Sequence, residues 1–150
     1  MRVGLISDTH GLVRPEAIEA LRGSDLILHA GDVGTPEVLE KLRALAPVVA
    51  VRGNADRGAW AQELPVTTTV EAGRVLIHLL HDRHALDISA AKAGIAAVVS
   101  GHSHYPTIRR KDGVLWINPG SAGPRRLSLP VCLGHLTITE NQLEARIQEL

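Results

Sequence analysis

From Arg2 to Asn54 the chain alternates between short aliphatic runs and longer amphipathic ones, and this alternation restricts the fold more than any other feature. Residues 2–7, 26–30 and 48–52 are brief and rich in Val, Ile and Leu, as expected of strands buried on both faces. Between them, Pro15 opens a segment running to about Arg22, and Pro36 opens one to about Leu45. Proline is favoured in the first turn of a helix, and Val38, Leu39, Leu42 and Leu45 recur at helical spacing. Strand, helix, strand, helix, strand predicts βαβ units and a parallel sheet. In open sheets of this kind, ligands bind beyond the carboxyl ends of the strands.

The polar residues just past those ends are therefore of interest. The first run stops at Asp8-Thr9-His10, the second at Gly31-Asp32 and the third at Gly53-Asn54. Downstream, residues 55–65 read as loop or a short helical turn. Residues 67–70 and 74–80 read as a hairpin about Ala72-Gly73, and the second arm runs into His81-Asp82-Arg83-His84. A helix is expected over 87–94, with Gly94 as its stop. A strand over 96–100 then leads into Gly101-His102-Ser103-His104. Residues 107–111 and 114–118 form a hairpin turning at Asp112-Gly113, followed by a rigid loop over 118–124 and strands over 131–139 and 143–150. This strand-rich second half predicts a second, partly antiparallel sheet packed on the first. The expected fold is α/β: two packed mixed β-sheets flanked by helices, in a single domain over residues 1–150.

Composition limits the function classes. Aromatic residues make up 2% of the chain and Phe is absent, so the core must be aliphatic. Lys+Arg and Asp+Glu are both 16, a formal net charge of +0. That balance does not indicate nucleic-acid binding driven by overall charge, although a local basic patch is compatible with it. The single cysteine, Cys132, cannot form an internal disulfide and reads as core packing, which suits a reducing compartment. No signal peptide or membrane span is evident, so a cytoplasmic location is expected.

Asp8, His10, Asp32, Asn54, His81, His102 and His104 together offer oxygen and nitrogen donors with no thiol. They are too many for one tetrahedral zinc and suit two neighbouring ions sharing a carboxylate. The donor types favour Mn, Fe, Zn or Co over Ca or Mg without choosing among them; manganese is the leading expectation, with nickel also compatible. Each residue also has a structural reading: Asp32 as a turn acid, Asn54 as a left-handed turn residue, any one His as surface. Those readings do not account for every one of them falling at a strand end. His78 and His135 lie within strands and read as structural. His29 reads as a residue that orients a ligand by hydrogen bonding.

In order, D-x-H, G-D, G-N-x-D, a lone His after a strand, and G-H-x-H resemble the calcineurin-like metallophosphoesterase superfamily. The loop Asn118-Pro119-Gly120-Ser121 with Arg125 resembles its small bacterial and archaeal phosphodiesterases. The resemblance implies a four-layer sandwich. It also implies one metal on Asp8, His10, Asp32 and His104 and a second on Asp32, Asn54, His81 and His102. The implied activity is hydrolysis of small phosphate esters, diesters foremost, by a hydroxide bridging the metals. A homo-oligomer is compatible with the sequence. The alternative is a non-catalytic protein-interaction scaffold, as in a retromer subunit of the same fold, whose metal site is degraded at the Asn that here is Asn54.

Two positions depart from the family pattern. Ala55 stands where many members carry a His that protonates the leaving group, which predicts a preference for activated leaving groups or another donor. Asp82 stands where Gly is usual. Asp82 and His84 are the candidate acid/base residues. Asn54, Arg83 and Ser121 are candidates for contacting substrate, with Asn118 and Ser121 also expected to shape the pocket floor. Arg52, Arg57, Arg125 and Arg126 flank the motif loops and suit phosphate contact or solvent.

Overall fold

The computed structural model describes residues 1–140 and 142–150. Two five-stranded sheets face each other. The first contains β1 (Arg2–Ile6), β2 (Leu26–His29), β3 (Val48–Ala50), β9 (Cys132–Ile138) and β10 (Leu143–Glu149), in the order β10-β9-β1-β2-β3. The second contains β4 (Thr67–Ala72), β5 (Val75–Leu80), β6 (Ile95–Val99), β7 (Thr107–Lys111) and β8 (Val114–Asn118), in the order β4-β5-β6-β8-β7. Each sheet is built around a parallel trio, β1-β2-β3 in one and β5-β6-β8 in the other, with antiparallel strands outside.

Strand alternation sorts the aliphatic residues into layers. Val3 and Leu5 of β1 point between the sheets, where they meet Leu28, Ile77, Leu79, Val99, Leu115 and Ile117. Ile6 faces the other way, onto α1 (Pro15–Leu21) and α2 (Pro36–Arg43), with Ala17, Leu21, Val38, Leu39 and Leu42. Nothing aromatic is needed to fill either layer, so the missing Phe carries no penalty. Cys132 is fully buried and its thiol donates to the Pro119 carbonyl at 3.2 Å.

The sandwich and the parallel trio of the first sheet match the sequence expectation, and the hairpin of β7 and β8 has the expected bounds. Two expectations are corrected. The strands near the C-terminus do not join the second sheet: β9 pairs antiparallel with β1, and β10 with β9, on the edge of the first. Residues 87–94 do not form a helix. Ala93 N–H donates to Ser89 O at 3.0 Å, a single helical turn, but Ile95 is already committed to β6. One turn without room to propagate leaves the nucleation cost uncompensated. The outer face of the second sheet is therefore covered by a 3₁₀ turn (Arg83–Ala85) and loops, through Leu86 and Ala90 over Leu80, Val98 and Val114. The short helical turn within 55–65 is α3 (Ala59–Gln62). Among the described residues, no helix is long and apolar enough to cross a membrane.

Candidate metal centre

The two parallel trios end on the same side of the sandwich, and each strand end delivers a polar residue. From β1 come Asp8 and His10, from β2 Asp32, and after β3 Asn54; β5 supplies His81, and β6 His102 and His104. Five of these seven, Asp8, His10, Asp32, His102 and His104, have positive φ angles between 46° and 71°. The left-handed region is uncommon for residues other than Gly and costs on the order of 1–3 kcal/mol each. Here it turns the chain sharply at the strand tip, so that the side chain folds back over the sheet edge.

The strained turns are held by one another. Asp8 N–H donates to Gly31 O at 3.0 Å, His10 N–H to Asp32 O at 2.9 Å, and Gly101 N–H to His81 O at 2.9 Å. The loops pack so closely that a side chain on Gly53 would collide with the Asp32 carboxylate, and one on Gly101 with Ser7 and Asp8. Asp56 is the clamp that sequence reasoning did not identify. Buried, it accepts from Val33 N–H at 3.2 Å, Gly34 N–H at 2.9 Å and Gly53 N–H at 2.9 Å. It thereby ties the Asp32 loop to the Asn54 loop. Its place at the end of G-N-x-D was the available signal.

Each central carboxylate divides its oxygens between fold and site. Asp8 Oδ2 accepts from the Ser7 hydroxyl at 2.7 Å and His102 N–H at 3.2 Å, leaving Oδ1 without a hydrogen-bond donor. Asp32 Oδ1 accepts from Ala55 N–H at 2.9 Å, and its Oδ2 faces inward. Around these inward oxygens stand imidazole nitrogens. His104 Nε2 is 3.3 Å from Asp8 Oδ1; His81 Nε2 is 3.2 Å from Asp32 Oδ2 and 3.9 Å from Asp8 Oδ1; His10 Nε2 is 3.7 Å from Asp32 Oδ2. Asn54 Oδ1 lies 3.0 Å from His81 Nε2 and 3.2 Å from His102 Nδ1.

His81 Nδ1 lies 2.7 Å from the Ala30 carbonyl, which can only accept. In the neutral ring Nδ1 carries the proton, and the Nε2 lone pair is aimed at three oxygens. His10 Nε2 is buried with no hydrogen-bond partner. Two donors about 2.1 Å from one ion, at right or tetrahedral angles, lie about 3.0–3.4 Å apart. The observed separations, 3.0 to 3.9 Å, start within that range and extend somewhat beyond it. The residues present thus fit a cation and leave its attractors unsatisfied otherwise.

The electrostatics agree. Burial pulls the His81 pKa down, but its bond to Asp32, the Ala30 carbonyl and the charges of Asp8 and Asp32 outweigh that and raise it. Asp32 is pushed up by burial, yet the His81 and Ala55 hydrogen bonds and the nearby imidazoles lower it to about 2.

Two triads have ligand atoms mutually within 4.8 Å: Asp8, His10 and His104, and Asp8, Asp32 and His81. They overlap at Asp8. The expected arrangement shares Asp32 alone between two sets of four; in the structure both carboxylates stand between the His10/His104 side and the His81 side. Asn54 and His102 lie beside His81, as expected.

The remaining candidates are placed as follows. Ser121 differs from a substrate contact: it is buried, donates to Asp8 O at 3.0 Å and accepts from Gly123 N–H at 3.3 Å, so it supports the Asp8 turn. Asn118 likewise spends its amide on Gly101 O, Ser103 Oγ and Gly120 N–H. Asp82 accepts from His84 N–H at 3.0 Å, capping the 3₁₀ turn, and lines the cavities beside His102. Arg83 and His84 line one of the same cavities. Arg52 bonds Gln62 Oε1 at 2.8 Å.

His29 does not touch a candidate ligand. Its Nδ1 accepts from Gly31 N–H at 3.1 Å, which leaves the proton on Nε2, 3.0 Å from Thr9 Oγ1. Thr9 in turn donates to Val33 O at 2.8 Å. The ring therefore joins the Asp8/His10 loop to the Asp32 loop from below. Complete burial depresses its pKa to about 4, against the pull of Asp8 and Asp56. His78 and His135 sit in β5 and β9, where they bond Thr69 and Gln148.

Two mixed sheets meeting at a cluster of seven carboxylate, amide and imidazole groups define a metal-dependent phosphoesterase architecture. The chain belongs to the calcineurin-like phosphoesterase superfamily, whose domain matches residues 1–141. It is 37% identical to a "probable metallophosphoesterase" of Methanothermobacter thermautotrophicus, covering 98% of this chain and 91% of that protein. Among solved structures, a novel archaeal phosphodiesterase superposes with a TM-score of 0.82 at 24% identity, covering 99% of this chain and 100% of the other. Vps29 of Chaetomium thermophilum does so with a TM-score of 0.79 at 18% identity, covering 100% and 97%. At these identities the two structures establish the fold alone.

Proposed function

We propose that the protein is a dinuclear-metal-dependent phosphodiesterase. One ion would be held by Asp8, His10, Asp32 and His104 and the other by Asp32, Asn54, His81 and His102, with Asp8 Oδ1 also within reach of both. The observation that carries this reading is the convergence of carboxylate, amide and imidazole ligand atoms from both sheets on one point, with Asp8 Oδ1 left without a donor and His10 Nε2 without a partner. When bound, two divalent ions supply an acidified water as nucleophile and a positive clamp for phosphoryl oxygens. Around them the chain itself does the positioning. Ala30 O fixes the His81 ring, Ala55 N–H fixes the Asp32 carboxylate, and Ser7 with His102 N–H fixes Asp8. Ala55 offers no side-chain proton to a leaving group, so Asp82 and His84, on the cavity wall beside His102, are the donors within the fold.

A diester is favoured by the surroundings of His81 and His102. One cavity, lined by Val66, Leu80 and Ala85 with Arg52, and a second, lined by Arg83, Ser103 and Tyr105, adjoin His102 and share Asp82. Two ester arms can thus leave the centre in different directions. The scaffold alternative lacks such support, because Asn54 and the other donors are all in place.

The test is hydrolysis of bis(p-nitrophenyl) phosphate by protein loaded with Mn²⁺, with metal analysis alongside. Two ions per chain and turnover are expected, and Asp8→Ala should abolish turnover while far-UV circular dichroism stays native. A folded, active Asp8→Ala protein refutes the assignment. A wild-type protein that neither binds metal nor turns over refutes the hydrolytic reading and favours the scaffold.

A further inference from the structure

We infer that a basic groove on the outer face of the second sheet binds a second phosphate, carried on one arm of the diester substrate. The inference rests on the hydrolytic reading above and names its substrate class.

The groove begins at the centre. The cavity holding His102 is also lined by Arg83, His84 and Thr107. A neighbouring cavity of about 280 Å³ shares Arg83 and His84 and continues to Arg109, Lys111 and Trp116. The strand register makes this a continuous track. Thr107, Arg109 and Lys111 alternate onto one face of β7, and in β8 Asn118 stands opposite Thr107 and Trp116 opposite Arg109. β7 runs antiparallel to β8, so its first residue is the one nearest the centre. At about 3.3 Å per residue, Arg109 lies about 7 Å and Lys111 about 13 Å beyond Thr107. Residues 88–91 border the far end of the track, beside Lys111 and Trp116.

The cations on it are unspent. Among the described residues, the one ion pair of an Arg or Lys is Arg22 with Glu19; Arg83, Arg109 and Lys111 form none. Among the described residues no side-chain hydrogen bond involves any of the three, whereas Arg110, on the opposite face of the same strand, donates to Leu143 O. The nearest acids along the chain do not neutralise them: Asp82 is engaged by His84 N–H, and Asp112 pairs with none. A chain of zero net charge has thus gathered three unpaired cations and a histidine around one cavity with Trp116 as its apolar wall. Gathered like charges repel, and an anion is what relieves them. Arginine favours phosphate geometry in particular. A phosphate arm leaving the centre past Thr107 meets Arg83 and Arg109 first and Lys111 last. The cavity by Val66 and Leu80 takes the other arm.

The experiment compares thymidylyl-thymidine with the same dinucleotide carrying a 5′- or a 3′-terminal phosphate, using Mn²⁺-loaded protein. At least one phosphorylated form should exceed the parent in kcat/KM by about tenfold or more, chiefly through KM. The double substitution Arg109→Gln/Lys111→Gln should return that ratio to within about twofold of one. Both positions are exposed on an edge strand, and an unchanged melting temperature verifies the fold. A p-nitrophenyl diester with a phosphorylated alkyl arm separates the sources of selectivity. An equal gain assigns it to the phosphate, while a gain confined to nucleotides adds base stacking on Trp116; either sustains the groove. Equal kcat/KM for all three dinucleotides, or a preference that survives the double substitution, overturns it. Calorimetry of the phosphorylated dinucleotide on EDTA-treated protein keeps the two readings apart. Binding that weakens about tenfold in the double variant upholds the groove even if hydrolysis fails. Binding indifferent to the substitutions refutes the groove even if hydrolysis succeeds.

Discussion

Asp56→Ala tests whether the centre is held together by its backbone loops. The carboxylate is 6% exposed and accepts three main-chain N–H groups, from Val33, Gly34 and Gly53. Alanine supplies no acceptor, so up to three N–H groups lose their partners. A buried unsatisfied donor costs about 1–3 kcal/mol. Water can enter beside Gly34, which is exposed, so a total of about 3–5 kcal/mol is the reasonable scale. Against a typical stability of about 5–15 kcal/mol that is severe. It also loosens the junction between Asp32 and Asn54, two groups that belong to one candidate ion. Urea unfolding of the metal-free protein should show the midpoint falling with little change in slope, and Mn²⁺ titration should show weaker binding. Asp56→Asn, which keeps one oxygen acceptor, should fall between wild type and alanine. If Asp56→Ala loses under about 1 kcal/mol and binds metal normally, the clamp argument is wrong.

Three further outcomes follow from the same geometry. The depressed His29 pKa makes the metal-free protein acid-sensitive: the unfolded ring takes a proton near its ordinary value of 6.5, while the folded ring resists until about 4. Stability contributed by the neutral ring is present above pH 6.5 and is lost as pH falls toward 4, by about 3 kcal/mol; urea unfolding across that window measures it, and a flat profile refutes it. Ala55→His should raise hydrolysis of diesters with poorly acidic alcohol leaving groups, up to the ~10²-fold general-acid range, and change p-nitrophenyl esters little; equal effects on both remove the missing-acid explanation. Metal at about 100 times its dissociation constant should stabilise the fold by about 2.7 kcal/mol for each ion bound, a rise of roughly 5–10 °C per ion for a domain of this size. Scanning calorimetry with and without Mn²⁺ reads it, and Asp32→Asn should shrink the rise.

The parts that were legible in the sequence are those set by local pattern. Short aliphatic runs stopped by Asp8, Asp32 and Asn54 mark strands and their candidate functional ends together, because polar groups recurring at successive parallel strand tips converge on one end of the sheet. The turn at Asp112-Gly113 fixes β7 and β8 by local pattern too. The return of β9 to pair with β1 was not legible, since antiparallel pairing across most of the chain leaves no local trace. The failure of the 87–94 helix depended on where β6 begins, not on the helical composition of that segment. Asp56 reads as an ordinary loop acid until the loops it joins are seen in contact.

What the structure adds to the ligand list is the cost of presenting it. Five candidate ligands hold left-handed backbones, at a combined expense comparable to the net stability of a small domain. Such conformations persist only where neighbours over-determine them. Here the neighbours are the loops themselves: Asp8 N–H on Gly31, His10 N–H on Asp32, His102 N–H on Asp8. No loop is shaped by its own sequence alone, which is why each motif is weak in isolation and specific in combination. The same interlock explains how rings and carboxylates from two sheets can be pre-positioned around a cation, with one oxygen of each central carboxylate facing inward. An arrangement that strains its backbone and leaves a buried carboxylate oxygen without a donor is poor as architecture. It becomes reasonable only when the energy of a bound ion is counted with the fold.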